Sequence, residues 1–238
     1  MNQNYGLMGR RSFLNLTGTS GMALVTAVTG SAFWNIQQPR AIAAPLIASN
    51  PNAALKRLMD GNQRFVHQLG EHPNQSQARI KEVAQAQHPF AALLSCADSR
   101  VPPEILFDEG IGDLFDIRVA GNIVTPEVLG SLEYAVDILG TPLIMVLGHE
   151  RCGAVTAAVQ GERLSGHIGS FVNAIKPAIS KTQGESDDPV DNAVVANVHY
   201  QIQKLKQNSN ILSQRLLDGK LKIVGGRYDL DTGEVTLI

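Results

Sequence analysis

The pattern of apolar and polar positions divides this chain into short strands and longer helices. Three segments rich in apolar residues lie at 89–100 (PFAALLSCADSR), 113–121 (DLFDIRVAG) and 142–150 (PLIMVLGHE). Short apolar runs of this kind are typical of strands that are buried on both faces of a parallel sheet. The closing segment, 221–238, predicts two further strands joined by a turn at Asp231–Gly233.

The segments between the predicted strands show helical spacing. Residues 50–69 place apolar side chains at 55, 58, 59, 65, 66 and 69, after a capping residue at Asn50 or Asn52. Thr125 caps a helix that we expect to continue through Leu139. Further helices are predicted over 75–87, 102–108, 153–159 and most of 166–218, with a polar interruption at 183–189. We interpret Asp108 and Glu109 as a helix end.

Alternation of strands and helices predicts the fold class. Such a chain forms a mostly parallel sheet that is covered by helices on both faces. We therefore expect an α/β fold: a single domain with a mostly parallel central β-sheet flanked by helices, preceded by an N-terminal helical arm.

The N-terminal segment has the features of an export signal. Arg10 and Arg11 precede an apolar, Gly/Thr-rich run over 14–33, Ala41-Ile42-Ala43 forms a small-residue cleavage pattern, and residues 1–43 contain no acidic side chain. This predicts a twin-arginine-type signal peptide over 1–43, a domain over 44–238, and a periplasmic or other extracytoplasmic location. A membrane anchor is the alternative, but six Thr and Ser and three Gly make the run weakly apolar for a span.

Composition and charge exclude several classes of protein. The chain of 238 residues is 44% hydrophobic, which supports a buried core and argues against disorder. Removing Arg10, Arg11 and Arg40 from the 20 basic residues leaves 17 against 22 acidic ones, a net charge of −5. An acidic domain is unsuited to nucleic acid or to anionic membranes, and we expect no stable membrane span in the mature chain.

The residues with metal-binding chemistry lie where two predicted strands end. Cys96 follows the first strand, and His149 and Cys152 follow the third. The carboxyl ends of parallel strands meet at one edge of a sheet, so these three side chains are expected there together. Two thiolates and an imidazole suit zinc, and three protein ligands leave the open position that is typical of catalytic zinc.

Asp98 and Arg100 lie beside the first of these cysteines. On an extended segment the side chains of Cys96, Asp98 and Arg100 would all point the same way. We expect Arg100 to pair with Asp98 and to hold this carboxylate off the metal. Two structural alternatives remain at this point: a disulfide between Cys96 and Cys152, and a plain surface salt bridge between Asp98 and Arg100.

Four motifs together resemble the β-class carbonic anhydrases, in an exported bacterial form. In chain order they are CADSRVPPE, GDLFDIRVAGNIV, SLEYAVDILG and GHERCGAV, and the resemblance covers roughly residues 52–238. It implies an enzyme, a lyase that interconverts carbon dioxide and bicarbonate by attack of zinc-bound hydroxide. It also implies a homodimer or homotetramer in which N-terminal helices embrace the partner.

The resemblance further implies a role for each matched residue. Asp98 orients the nucleophile and Arg100 holds Asp98, which could also become a fourth metal ligand in a closed state. One zinc ion per subunit is held by Cys96, His149 and Cys152. The substrate pocket is assigned to Gly121, Gly153 and Ala154. With these motifs in place, zinc is favoured over the disulfide.

Two other functions remain compatible with the motifs. One is a non-catalytic protein of the same fold that binds zinc or bicarbonate, although an intact Asp98–Arg100 pair weighs against it. The other is a hydrolase acting on carbonyl sulfide or carbon disulfide, because specificity depends on the pocket rather than on the fold.

Overall fold

A computed structural model describes residues 50–161, 164–180 and 187–238. The predicted signal peptide, residues 1–43, lies outside the described residues. Part of the predicted polar interruption at 183–189 lies outside them as well.

The core of the fold is a five-stranded sheet. Its strands are β1 (Ala91–Ser95), β2 (Leu114–Arg118), β3 (Leu143–His149), β4 (Lys222–Tyr228) and β5 (Val235–Leu237), in the spatial order β2-β1-β3-β4-β5. The first four strands are parallel, and β5 pairs antiparallel with β4. Every residue of β1 and β3 is buried, as their continuous apolar sequences require. The predicted fold class is confirmed.

Helices cover both faces of this sheet. They are α1 (Pro51–Val66), α2 (Gln77–Val83), α3 (Pro103–Leu106), α4 (Pro126–Glu133), α5 (Gly153–Gln160), α6 (Gly169–Ile179), α7 (Pro189–Asn208) and α8 (Asn210–Leu217). Asn50 caps α1 by accepting hydrogen bonds from the amides of residues 52 and 53, and Thr125 caps α4. A π-helical turn, Tyr134–Ile138, continues α4 and brings its end close to the predicted Leu139.

Alternate residues of the central strands pack into two separate hydrophobic cores, one on each face of the sheet. Ala92, Leu94, Ile144 and Val146 pack toward α4, α7 and α8. The intervening residues, with Leu93 and Met145 among them, pack toward α1, α3 and β5. The period of two along a strand produces this division, so each face of the sheet buries its own set of apolar side chains.

Helix α1 is held to the domain by buried ion pairs. Arg64 binds the Asp108 carboxylate at 2.6 Å, and Arg57 binds Glu109 through two guanidinium nitrogens. Asp108 and Glu109 are only 5% and 3% exposed, although the sequence indicated an ordinary helix end. They do follow α3, but each has its partner more than 40 residues earlier in the chain.

Besides these ion pairs, α1 packs against α3, β1 and β3 of its own chain. Its predicted embrace of a partner subunit stays a prediction. Strand β2 forms one edge of the sheet. A search of the described residues for a helix both long and apolar enough to cross a bilayer finds none.

Asp116 on the edge strand β2 is a buried carboxyl with an unusual titration. Among the described residues neither of its oxygens has a hydrogen-bond partner. Burial, reinforced by the nearby Glu104 carboxylate, raises the pKa of Asp116 to about 8, against about 4 for an unperturbed Asp. Between these two values the folded chain holds a proton that the unfolded chain has released. Stability therefore falls as the pH rises from about 4 to about 8 and levels off above that.

Asp116→Asn should remove this pH dependence, because an amide has the same shape and no charge to desolvate. We expect the variant to melt at a higher temperature than the wild type at pH 9, with a smaller difference at pH 5. Thermal unfolding at both pH values measures it, with the exposed Asp60→Asn as control. A wild type that loses no more stability than Asp116→Asn between pH 5 and pH 9 would contradict the assignment.

Candidate metal centre

Two neighbouring parallel strands bring the three predicted metal ligands together. Cys96 follows the last residue of β1, and His149 is the last residue of β3. Cys152 lies three residues beyond His149, at the N-cap of α5. Because β1 and β3 pair in register, with Ser95 opposite Leu147, the two strands end at the same edge of the sheet. The structure therefore places side chains from residues 96, 149 and 152 in one buried cluster.

The geometry of this cluster fits a tetrahedral metal ion. One ligand atom from each of the three side chains lies within 4.8 Å of the others. The sulfur atoms of Cys96 and Cys152 are 4.0 Å apart, and both cysteines are free thiols. Two sulfur atoms at about 2.3 Å from a tetrahedral zinc ion are about 3.8 Å apart. The spacing suits a shared cation and is about twice the length of a disulfide bond.

His149 is oriented as a metal ligand. Its side chain is fully buried, and its Nδ1 atom lies 2.8 Å from the backbone carbonyl of Glu150. This contact makes Nδ1 the donor and leaves Nε2 with a free lone pair. Nε2 is buried and has no hydrogen-bond partner among the described residues. A buried polar atom without a partner is costly, and a metal ion in the cluster would satisfy it.

The two thiols have strongly different acidities. A hydrogen bond from Cys152, with a smaller contribution from the Gly121 amide, holds the pKa of Cys96 far below its ordinary value. The same hydrogen bond, together with burial, raises the pKa of Cys152. The protein alone thus stabilises one thiolate. A second thiolate in the same buried space calls for a cation.

Asp98 and Arg100 pair through a tight turn. Strand β1 ends at Ser95, and a turn follows at Ser99 and Arg100, so Asp98 and Arg100 do not share one extended strand. Arg100 instead folds back: its backbone amide and Nε both donate to Asp98 Oδ1 at 2.9 Å, and its Nη2 donates to Oδ2 at 2.8 Å. These contacts lower the pKa of Asp98 to about 2, so this carboxylate is ionised at neutral pH.

The Asp98 carboxylate is directed toward the ligand cluster. Its Oδ2 atom lies 3.8 Å from Nε2 of His149. The carboxylate is therefore near the cluster, but both of its oxygens already accept hydrogen bonds from Arg100. This is the arrangement expected of an acceptor that binds a polar molecule at the site rather than a metal.

Arg118 is a site residue that the sequence analysis missed. It is the last residue of β2, and its guanidinium donates to the backbone carbonyls of Cys96 at 3.2 Å and Asp98 at 2.5 Å. One cation therefore fixes the backbone of the segment that carries the first thiol and the acid. The available signal was its place at the end of a predicted strand beside the first one.

A second missed group supports the loop after β2. On α7, Asn197 donates to the carbonyl of Gly121 at 2.9 Å and accepts from Gln201, which in turn accepts from the Val124 amide at 2.8 Å. Both side chains are buried, at positions one helical turn apart. The sequence signal that could have indicated them is a pair of polar residues four positions apart on an otherwise apolar helix face.

The three residues predicted to line the substrate pocket differ in environment. Gly121 has φ +72° and is so close to Ile175 that a Cβ atom would lie 2.6 Å from its Cδ1. Its amide donates to Cys96 Sγ at 3.4 Å, which supports a thiolate there, and its role in the substrate pocket stays a prediction. Ala154 is buried beside Gly121, and Gly153 is exposed.

Comparison with known proteins gives this geometry a family. A sequence model described as carbonic anhydrase matches residues 91–235. Carbonic anhydrase 2 of Mycobacterium tuberculosis strain H37Rv is 42% identical over 193 residues, covering 79% of this chain and 93% of the relative. The carbonic anhydrase of Mycolicibacterium smegmatis is 43% identical, covering 79% and 94%.

Solved structures agree with the sequence comparison. The β-carbonic anhydrase of Coccomyxa, solved in complex with acetazolamide, has a TM-score of 0.63 at 28% identity, covering 77% of this chain and 86% of its own. The β-carbonic anhydrase CcaA has a TM-score of 0.62 at 27% identity, covering 77% and 94%. Sequence and fold together show that this chain belongs to the β class of the carbonic anhydrase family, which are lyases.

Proposed function

We propose that this chain catalyses the reversible hydration of carbon dioxide to bicarbonate and a proton at a zinc centre. The observation that carries the proposal is the buried cluster of two thiols and one imidazole within 4.8 Å, with an imidazole nitrogen that has no hydrogen-bond partner in the part of the chain that the structure describes. The relatives, which are carbonic anhydrases at 42% and 43% identity, support the same activity.

Cys96, His149 and Cys152 would hold one zinc ion per subunit. When bound there, zinc supplies Lewis acidity, lowering the pKa of water to about 7 and generating a nucleophile at neutral pH. Three protein ligands match the pattern of catalytic zinc, in which a fourth position stays open for water or substrate. The surrounding cluster is apolar, with Ala154, Val155 and Ile175 close by, which favours an uncharged substrate.

Asp98 orients the attacking water. Because Arg100 keeps its pKa near 2, Asp98 can only accept hydrogen bonds in the neutral range. A hydroxide that donates its O–H hydrogen bond to Asp98 has an oxygen lone pair free to attack the carbon of carbon dioxide and give bicarbonate. Arg100 binds both carboxylate oxygens and so restrains Asp98 from becoming a fourth metal ligand, the closed arrangement.

We also propose that residues 1–43 direct export through a twin-arginine-type signal and that residues 44–238 form the catalytic domain. The paired arginines, the weakly apolar run and the absence of acidic residues support this reading. A homodimer or homotetramer belongs to the same proposal, supported by the open edge of β2. Sedimentation equilibrium of the purified protein would distinguish these states from a monomer.

The metal site is tested first. Wild-type protein should contain one zinc ion per chain, and Cys152→Ser should lose most of it, because a serine hydroxyl is a poor ligand beside a single thiolate. Elemental analysis after dialysis against a chelator measures both. A wild type without zinc, with its two thiols oxidised to a disulfide, would contradict the metal centre.

Asp98→Asn should keep zinc and lose activity. An amide at this position can donate as well as accept, so the water is no longer held in one orientation, and we expect turnover to fall on the order of 10²-fold. Stopped-flow hydration of carbon dioxide between pH 7 and 9 measures it. Asp137→Asn, in an ion pair with Arg215 away from the cluster, is the matched control.

Full activity in Asp98→Asn would exclude the proposed role of this carboxylate. Wild-type protein that contains one zinc ion per chain but hydrates no carbon dioxide at any pH would exclude the proposed activity and leave the two alternative functions. Turnover of carbonyl sulfide or carbon disulfide would then indicate the sulfur hydrolase, and binding of bicarbonate without turnover would indicate the non-catalytic protein.

Export is tested by replacing both arginines. The double variant Arg10→Lys, Arg11→Lys keeps the charge but should retain the full-length protein inside the cell, whereas wild-type protein should reach the extracytoplasmic fraction. Cell fractionation followed by intact-mass measurement detects both location and cleavage. Equal export of the two proteins would exclude a twin-arginine signal.

A further inference from the structure

Two residues separate His149 from Cys152, and the turn that they form is strained. Arg151 has φ +48°, the left-handed region that glycine enters freely and arginine does not. Such a conformation persists only where the surrounding structure holds it. The contacts of Glu150 and Arg151 therefore decide how firmly two of the three ligands are positioned.

Arg151 is bound by the turn between β4 and β5. Its Nη1 and Nη2 atoms donate to the two oxygens of Asp231 at 2.9 and 2.8 Å. That turn is itself ordered, because the Asp229 carboxylate accepts from the amides of Asp231 and Thr232. A bidentate pair fixes orientation as well as distance, so the strained residue is tied to a rigid support.

Glu150 is bound to the same hairpin at three points. Its amide donates to the Tyr228 carbonyl at 3.1 Å, and its carboxylate accepts from the Leu230 amide at 3.1 Å and from Arg227. Its own carbonyl is the atom that orients His149. Every hydrogen bond that fixes Glu150 on the hairpin therefore also fixes the direction of the His149 ring.

The charges around this turn show what the acidic groups do. Carboxylate oxygens of Glu150, Asp229 and Asp231 lie within 4.8 Å of one another, a grouping that could in principle hold a cation. Arg151 and Arg227 already occupy that role: the first binds Asp231, and the second binds Glu150 and reaches Asp191 on α7 at 2.7 Å. The cluster is an ionic connection between elements rather than a second metal site.

We propose that Glu150 and Arg151 are positioning residues that clamp the metal-ligand turn onto the C-terminal hairpin, β4 to β5, and thereby set the affinity of the site for zinc. We call their contacts with Arg227, Leu230 and Asp231 the hairpin clamp. The inference rests on the proposed zinc centre. A turn held in place before the metal arrives loses little freedom on binding, so the clamp favours the bound state.

The test compares zinc affinity with the stability of the metal-free protein. Glu150→Ala removes the side-chain half of the clamp and should weaken zinc binding about tenfold or more, the usual effect of losing support behind a ligand. Arg151→Gly should weaken it a few-fold, since an exposed ion pair contributes less. Glycine relieves the left-handed strain, so metal-free Arg151→Gly should melt no lower than metal-free wild type.

Zinc affinity is measured by competition with a chelator of known affinity, and stability by thermal unfolding of each metal-free protein. Glu150→Gln, which keeps the acceptor oxygen, should recover most of the affinity lost in Glu150→Ala. Arg215→Ala is the matched control, because it breaks an ion pair of the same 2.8 Å length between α8 and the π-helical turn, where no ligand lies. Its zinc affinity should equal that of the wild type.

The outcomes separate this inference from the proposed function. Wild-type protein that binds no zinc would overturn the metal centre itself. Wild-type protein that binds zinc, with unchanged affinity in both Glu150→Ala and Arg151→Gly, would overturn the hairpin clamp alone. Affinity that falls equally in Arg215→Ala, or only in step with the melting temperature of the metal-free protein, would also overturn it.

Discussion

The pairing of β1 with β3 is the constraint on which the site depends. These strands are buried along their whole length, and their register places Ser95 opposite Leu147. Cys96 and His149 then emerge at one edge of the sheet. A slip of two residues would move one ligand by about 7 Å along the strand, beyond the 4.8 Å that the cluster spans. The register of two buried strands thus determines a coordination geometry.

Charge balance explains how such a polar cluster can lie among apolar side chains. With the proposed zinc bound, two thiolates and a divalent cation would sum to zero, and Asp98 and Arg100 neutralise each other beside them. The remaining partial charges are also matched, since Arg118 binds the carbonyls of residues 96 and 98 and the Gly121 amide faces a sulfur atom. Burial of charge is expensive without such compensation. The hydrogen bond between the two thiols lowers the pKa of Cys96 and, together with burial, raises the pKa of Cys152, so the protein groups alone favour a single thiolate.

Much of this arrangement could be predicted from the sequence, and the exceptions share a physical cause. Apolar runs indicated the strands, and strand ends indicated where Cys96, His149 and Cys152 would lie, because both signals are local. Arg118, Asn197 and the partners of Asp108 and Glu109 were missed, since each acts on residues at least 20 positions away. The turn at Asp98 was missed for another reason: the Asp98 carboxylate accepts a hydrogen bond from the Arg100 amide, and this turns the chain without a glycine or proline at the turn.

The metal-ligand turn is also supported by residues that are far away in the sequence, and this links metal binding to completion of the fold. The turn has only Glu150 and Arg151 between its ligands, too few to form a self-supporting structure. Its partners, residues 227–231, lie 77 to 80 positions further along the chain. Without the contacts of the β4–β5 hairpin, Glu150 and Arg151 would lose the hydrogen bonds that hold the carbonyl orienting the His149 ring and the strained backbone of Arg151. The proposed hairpin clamp therefore makes tight zinc binding depend on a complete sheet that includes β4 and β5.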